Sequence, residues 1–216
     1  MGLFEDLLLA PPIRPSKIIA VGRNYAAHAA EHQAAVPDEP MLFFKPPSAA
    51  IAFDMPIQLP PNVGRVDLEA ELAVVIGKQG RNIRYADALD YVLGYTCGND
   101  VSARVLQKKD GQWGRAKGFD TFCPLGPWID TEIGSPAGLG VKARLNGQTV
   151  IDGNTRDMVF DVPSLIEFIS SVMTLLPGDV ILTGTPEGVT EISAGDQVEI
   201  AIEQIGVLRN SVESDQ

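Results

Sequence analysis

Glu69 and Glu71 stand two residues apart in Leu68-Glu69-Ala70-Glu71-Leu72-Ala73-Val74-Val75-Ile76-Gly77. Residues 68 to 77 read as a strand. Strand side chains alternate between faces, so both carboxylates point the same way. Two like charges this close repel unless a cation sits between them. A divalent metal does this well, and a basic side chain does it less completely. The alternative is an exposed strand face with two solvated glutamates. The apolar run that follows predicts a strand buried on both faces, where solvated glutamates fit poorly.

Asp100 adds a third carboxylate, just past a strand predicted over Tyr91 to Cys97. Asp also caps helices well, and a helix is predicted from Val101 to Lys109. Arg104 and Gln107 follow Asp100 by four and seven positions, which on a helix places all three near one face. A guanidinium there can clamp a substrate carboxylate through two hydrogen bonds. It can equally form an ordinary i,i+4 pair with Asp100.

His28 and Glu31 lie three apart on a short Ala-rich helix predicted over Tyr25 to His32, with Asn24 as its cap. A carboxylate beside an imidazole fixes its tautomer, and the imidazole then moves a proton. A surface histidine is the competing interpretation. His32 falls on another face and is expected to be exposed. Lys117, between glycines in a predicted loop over residues 110 to 124, is either a solubilising charge or a cation for an enolate. Thr183-Gly184-Thr185-Pro186-Glu187-Gly188 offers hydroxyls and backbone N–H groups to an oxyanion. It lacks the Gly-Lys-Ser/Thr ending of a phosphate loop. No Gly-x-Ser-x-Gly elbow supports serine hydrolysis.

Composition narrows the chemistry. The chain has two histidines and two cysteines, Cys97 and Cys123, with no Cys-x-x-Cys pair. This argues against structural zinc and reads the cysteines as buried reduced thiols. A metal must then be held by oxygen, which points to Mg²⁺, Mn²⁺ or Ca²⁺. The net charge of −11 repels phosphate backbones, so nucleic acid is not an expected partner. An anionic substrate would need a local cation. No run approaches the ~18 apolar residues of a membrane span. The acidic start Met1-Gly2-Leu3-Phe4-Glu5-Asp6 lacks the basic opening of a secretion signal. A cytoplasmic protein is expected.

The elements must position these residues. Strands are predicted at Lys17 to Val21, Met41 to Phe44, Asp179 to Thr183 and Gln197 to Ile202, with a short one at Gly206 to Arg209. Residues 45 to 65 read as a Pro-rich surface connection. Asn146-Gly147 between Val141 to Leu145 and Gln148 to Ile151 predicts a type I′ hairpin. A helix starts near Pro163 and runs to about Thr174. Strands outnumber helices without alternating with them, which predicts a β-rich α+β fold over one domain, residues 1–216. Selectivity is expected from the pocket walls and from segments 32 to 39 and 108 to 114.

The order of the motifs is more specific than any one of them. Gly22-Arg23-Asn24-Tyr25 leading to His28 and Glu31, then Phe44-Lys45-Pro46, then Glu69-x-Glu71, resembles the fumarylacetoacetate hydrolase family. So do Gly98-Asn99-Asp100-Val101-Ser102-Ala103-Arg104-Val105-Leu106-Gln107, Lys117-Gly118-Phe119-Asp120-Thr121, Pro124-Leu125-Gly126-Pro127-Trp128 and Gly178-Asp179-Val180-Ile181-Leu182-Thr183-Gly184-Thr185-Pro186. The resemblance covers about residues 17 to 205 and is to the short bacterial members. It implies a mixed β-sandwich roll with flanking helices, assembled as a homodimer. It implies Glu69, Glu71 and Asp100 as ligands of one Mg²⁺ or Mn²⁺, and His28, Glu31 and Lys117 as catalytic residues. Arg104, Gln107 and Thr185 become substrate contacts. The implied substrate is a small 2-oxo acid that reacts through a metal-stabilised enolate. Acylpyruvate C–C hydrolysis and isomerisation of 2-hydroxyhepta-2,4-diene-1,7-dioate lead. Oxaloacetate decarboxylation is an alternative, and a non-catalytic 2-oxo-acid-binding protein is an alternative of another class.

Overall fold

The apolar runs assemble into a curled seven-stranded sheet in the computed structural model, which describes residues 10–31 and 33–215. His32, expected to be exposed, lies outside the described residues. The strand order is Met41–Lys45, Ile18–Gly22, Val180–Leu182, Ala70–Ile76, Val92–Asn99, Cys123–Asp130 and Ala50–Ile51. Ala70–Ile76 is buried along its whole length, as its unbroken apolar pattern requires. On one face Leu72, Val74 and Cys97 join Val141, Ile200 and Leu208 of a second sheet. On the other, Ala73 and Val75 pack with Ile18, Ala20, Val180 and Leu182. The second sheet has five strands, ordered Gln148–Asn154, Gly140–Leu145, Gln197–Ile202, Gly206–Ser214 and Ile57–Leu59. Three short pieces, Thr190–Glu191, Val66–Leu68 and Ser102–Ala103, form a third. The result is a strand-rich α+β fold.

Local chemistry accounts for the turns. Asn146 and Gly147 have φ of 52° and 80°, the pair of positive values a type I′ hairpin needs. The helix Val162–Val172 buries Leu165, Ile166 and Ile169 on one stripe. Asp161 caps it by accepting from the Ser164 N–H at 2.9 Å, and also accepts from the Tyr85 hydroxyl at 2.7 Å. Burial alone would raise the Asp161 carboxyl, but the Ser164 and Tyr85 hydrogen bonds outweigh it and hold the group below its ordinary value. A depressed carboxyl stabilises the fold above its unfolded pKa and loses that contribution as pH falls through the folded one. Asp161→Ala is therefore expected to cost about 1 kcal/mol at neutral pH, less in acid, measured by urea unfolding. An equal cost at both pH values would remove the charge from this account.

Several expectations change. Asn24 does not cap the helix Ala26–Glu31: its side chain donates to the carbonyls of Phe160 and Thr183 and accepts from the Phe160 N–H. The strand predicted over 68 to 77 breaks at Glu69, between Val66–Leu68 and Ala70–Ile76. The helix after Asp100 starts only at Arg104, so Asp100 is neither its cap nor on its face. Buried lysines hold Asp100 instead. Residues 110 to 124 contain a helix, Gly114–Lys117. Residues 45 to 65 are not a mere surface connection, because Ile51, Ala52 and Ile57 are buried in the core. No described helix is long and apolar enough to cross a membrane.

Candidate active site

Strand direction gathers the site. Ile18–Gly22 runs parallel to Val180–Leu182, and Ala70–Ile76 runs antiparallel between that strand and Val92–Asn99. The ends Gly22, Leu182 and Asn99 therefore meet the start Ala70 at one edge. The break at Glu69 is pinned there. Its N–H donates to Asn99 Oδ1 and its carbonyl accepts from the Asp100 N–H, both at 3.0 Å. One oxygen each from Glu69, Glu71 and Asp100 then lies within 4.8 Å of the others, with all three residues buried.

Cations share this cluster unequally. Lys117 Nζ lies 2.8 Å from Glu69 Oε2 and 2.5 Å from Asp100 Oδ2. Lys45, 1% exposed, holds the other Asp100 oxygen at 2.6 Å. Arg104 reaches Glu69 Oε1 at 2.7 Å and Asp67 Oδ2 at 2.8 Å, so it pairs with those acids and not with Asp100. Its Nη1 donates to Gln107 at 3.0 Å. Glu71 accepts only the Gly184 N–H, at 2.7 Å, and no cation among the described residues touches it. Gly184 can make this contact because its φ is +93°, and a Cβ there would sit 2.8 Å from the Asn24 Cβ.

The charge states follow. Burial, Asp100 and Glu69 all push the Glu71 carboxyl well above the carboxylate range. Burial acts on Glu69 in the same direction, but Lys117 and Arg104 overcome it and hold that carboxyl well below. Burial opposes the charge on Lys117, and Asp100 and Glu69 more than restore it, so its pKa is raised.

These groups line a cavity of about 250 Å³. Its walls include His28, Glu69, Glu71, Asp100, Arg104, Gln107, Lys117 and Thr185, eight of the nine residues singled out from sequence. The ninth, Glu31, stands behind His28, with Oε2 3.4 Å from His28 Nδ1. Its carboxylate also accepts from the Gly188 N–H at 3.3 Å. Of the two segments expected to set selectivity, 108 to 114 reaches the cavity through Lys108 and Trp113. No described residue of 33–39 lines it.

Asp67 and Lys45 were missed as site residues. Asp67 precedes Glu69 by two, so the period that paired Glu69 with Glu71 could have found it. A lysine closing the apolar run Met41-Leu42-Phe43-Phe44 was also a signal, since lysine is almost never fully buried unpaired. Cys97 and Cys123 are free and buried, and burial pushes each thiol up to about 12, so neither is a nucleophile at neutral pH.

The donor set fits a hard divalent cation. All three candidate ligands are carboxylates, within reach of one ion with metal–oxygen distances of about 2.0–2.6 Å. Glu71, which no cation touches among the described residues, is the acid a divalent ion would bring to its ionised form. Thr185 Oγ1, Asn99 Nδ2 and Tyr25 Oη are buried polar atoms with no hydrogen-bond partner among the described residues. Thr185 lines the cavity beside the acids.

The sequence model of the fumarylacetoacetate (FAA) hydrolase C-terminal domain matches residues 17–213. The chain belongs to the fumarylacetoacetate hydrolase family. It is 48% identical over 216 residues to the mitochondrial oxaloacetate tautomerase of Xenopus laevis, spanning 95% of this chain and 68% of that protein. The structure of 5-carboxymethyl-2-hydroxymuconate delta-isomerase from Mycobacterium smegmatis superposes with a TM-score of 0.92 at 51% identity, covering 100% of this chain and 85% of that one. Maleylpyruvate hydrolase from a Sphingobium species, solved with manganese(II) and pyruvate, superposes with a TM-score of 0.84 at 42% identity, covering 96% and 74%. The fumarylacetoacetate hydrolase fold thus supports several net reactions in relatives about equally similar to this chain.

Proposed function

We propose that this chain enolises a small 2-oxo acid with the help of one divalent cation, Mg²⁺ or Mn²⁺, and acts as a homodimer. The observation that carries the proposal is Glu71, the acid that no cation touches among the described residues, buried with Glu69 and Asp100 in a cavity that also holds His28 and Lys117. A bound cation would supply Lewis acidity toward a chelating 2-oxo carboxylate. Lys117 is buried and charged, and it adds fixed positive charge where an enolate develops. His28, oriented by Glu31, takes the proton from the carbon beside the 2-oxo group and returns it. Thr185 and Arg104 orient the substrate, Arg104 through the N–H groups its acids leave over. Gln107 holds Arg104 in place.

The tautomerase, isomerase and hydrolase relatives differ in the fate of the enol, and keto–enol exchange needs the fewest parts. Tautomerisation of oxaloacetate is the net reaction we favour. Acylpyruvate hydrolysis is the second reading, favoured by the pyruvate held in the Sphingobium hydrolase. A protein that only binds 2-oxo acids would need neither the His28–Glu31 pair nor Lys117.

Incubating the Mg²⁺-loaded protein with oxaloacetate in D₂O tests this. Rapid enzyme-dependent loss of the C3 proton signal is expected, abolished by chelator. Acylpyruvates assayed in parallel separate hydrolysis from tautomerisation. Tight binding with neither exchange nor cleavage would establish the non-catalytic reading.

A further inference from the structure

The largely buried cations in and behind the cavity wall are already spoken for. Lys45 and Lys117 are held by Asp100 and Glu69, and Arg104 by Asp67 and Glu69. Two other cations line the same cavity, Arg23 and Lys108, and among the described residues neither forms an ion pair. Arg23 is half-buried and Lys108 is exposed, which places them toward the mouth.

Arg23 also occupies an unusual backbone position. Its φ is +57°, the left-handed region that disfavours a side chain with a Cβ. Both neighbours are held in place. Asn24 is tied to Phe160 and Thr183 by three hydrogen bonds. Gly22 lies so close to Trp113 that a Cβ there would come within 2.7 Å of the indole. Glycine would suit position 23 better for stability, yet it holds an arginine that lines the cavity and forms no ion pair among the described residues. Such strain, kept where structure over-determines it, marks ligand clamps.

We infer that Arg23, with Lys108 lining the same cavity, binds a second carboxylate, and so selects 2-oxo dicarboxylates over 2-oxo monocarboxylates. The inference rests on the proposed 2-oxo acid site. The inner end of the substrate would meet the carboxylate cluster and Lys117. The outer carboxylate would be left to the only unpaired cations lining the cavity among the described residues.

Equilibrium titration of Mg²⁺-loaded protein with pyruvate and with oxaloacetate tests it, monitored by quenching of tryptophan fluorescence within seconds of mixing. In Arg23→Gly, oxaloacetate affinity is expected to fall about tenfold, the loss of one charge-assisted hydrogen bond, with pyruvate affinity within about twofold of wild type. The melting temperature of the same variant is expected to hold or rise, because glycine relieves the backbone. Arg23→Lys is expected to recover most of the oxaloacetate affinity. Equal losses for both ligands, or none for either, would overturn the inference. Failure of the wild type to bind either ligand would instead sink the 2-oxo acid site and the inference with it.

Discussion

Glu71→Gln is expected to lose the stabilisation that Mg²⁺ confers while leaving the metal-free protein as stable as wild type, or more so. Asp67, Glu69, Glu71 and Asp100 bring four buried carboxylates together, and the four cations Arg65, Lys45, Lys117 and Arg104 contact only the other three, none of them touching Glu71. Glu71 is the acid without a cation. Glutamine keeps its shape and its acceptor for the Gly184 N–H, and like the raised, metal-free acid it places no charge beside Glu69 and Asp100. It cannot ionise when a divalent ion arrives, so the ion loses an anionic ligand. At Mg²⁺ 100-fold above its dissociation constant, the wild type should gain about 2.7 kcal/mol, and the variant close to nothing. Turnover should fall at least ~10²-fold, the scale of losing one preorganised electrostatic partner. Paired melting curves with and without Mg²⁺ read this out. A variant still stabilised by Mg²⁺ as strongly as wild type would show that the ion, if bound, sits elsewhere. Glu69→Ala is a poorer probe, because it strips a partner from both Lys117 and Arg104. Breaking buried pairs in this way costs about 3–5 kcal/mol before any metal is considered.

His28→Ala should give the opposite split: Mg²⁺ stabilisation retained and turnover reduced by ~10²–10⁴-fold. His28 lines the cavity at 7% exposure, on a helix anchored at one end by Asn24 and at the other by Glu31. It is an electrostatic neighbour of Glu69, but the ion pairs of Asp100 with Lys45 and Lys117 and of Glu69 with Lys117 and Arg104 are made by other side chains, so truncating it should leave the carboxylate cluster assembled. Exchange of the oxaloacetate C3 proton in D₂O measures the rate, and the Mg²⁺ melting shift measures the site. Glu31→Gln should fall between wild type and His28→Ala, since it disturbs orientation and leaves the imidazole in place. Wild-type exchange in His28→Ala would transfer the base role to another cavity residue.

The fold class was legible in the chain because local patterns carry it. Apolar runs bounded by Gly and Pro located the strands Ile18–Gly22, Ala70–Ile76 and Val92–Asn99, and Asn146-Gly147 fixed a hairpin. The spacing of Glu69 and Glu71, and of His28 and Glu31, pointed each pair to a common face. Errors arose where a residue has two local uses. Asn24 and Asp100 are both good helix caps, yet tertiary partners took them, Phe160 and Thr183 for one and two buried lysines for the other.

By itself, then, the sequence determined the strand pattern and that two carboxylates, Glu69 and Glu71, stand close together where a buried strand begins. Only the tertiary structure decided which charges neutralise one another. Lys45 and Asp100 are 55 positions apart, and Lys117 and Glu69 are 48 apart. Such pairings are set by where strand ends and the Gly114–Lys117 helix are packed, and no periodicity in the chain encodes them. Glu71 is left without a cation for the same reason: burial makes each pairing close to all-or-none, and the packed backbone brings a basic side chain to its neighbours but not to it.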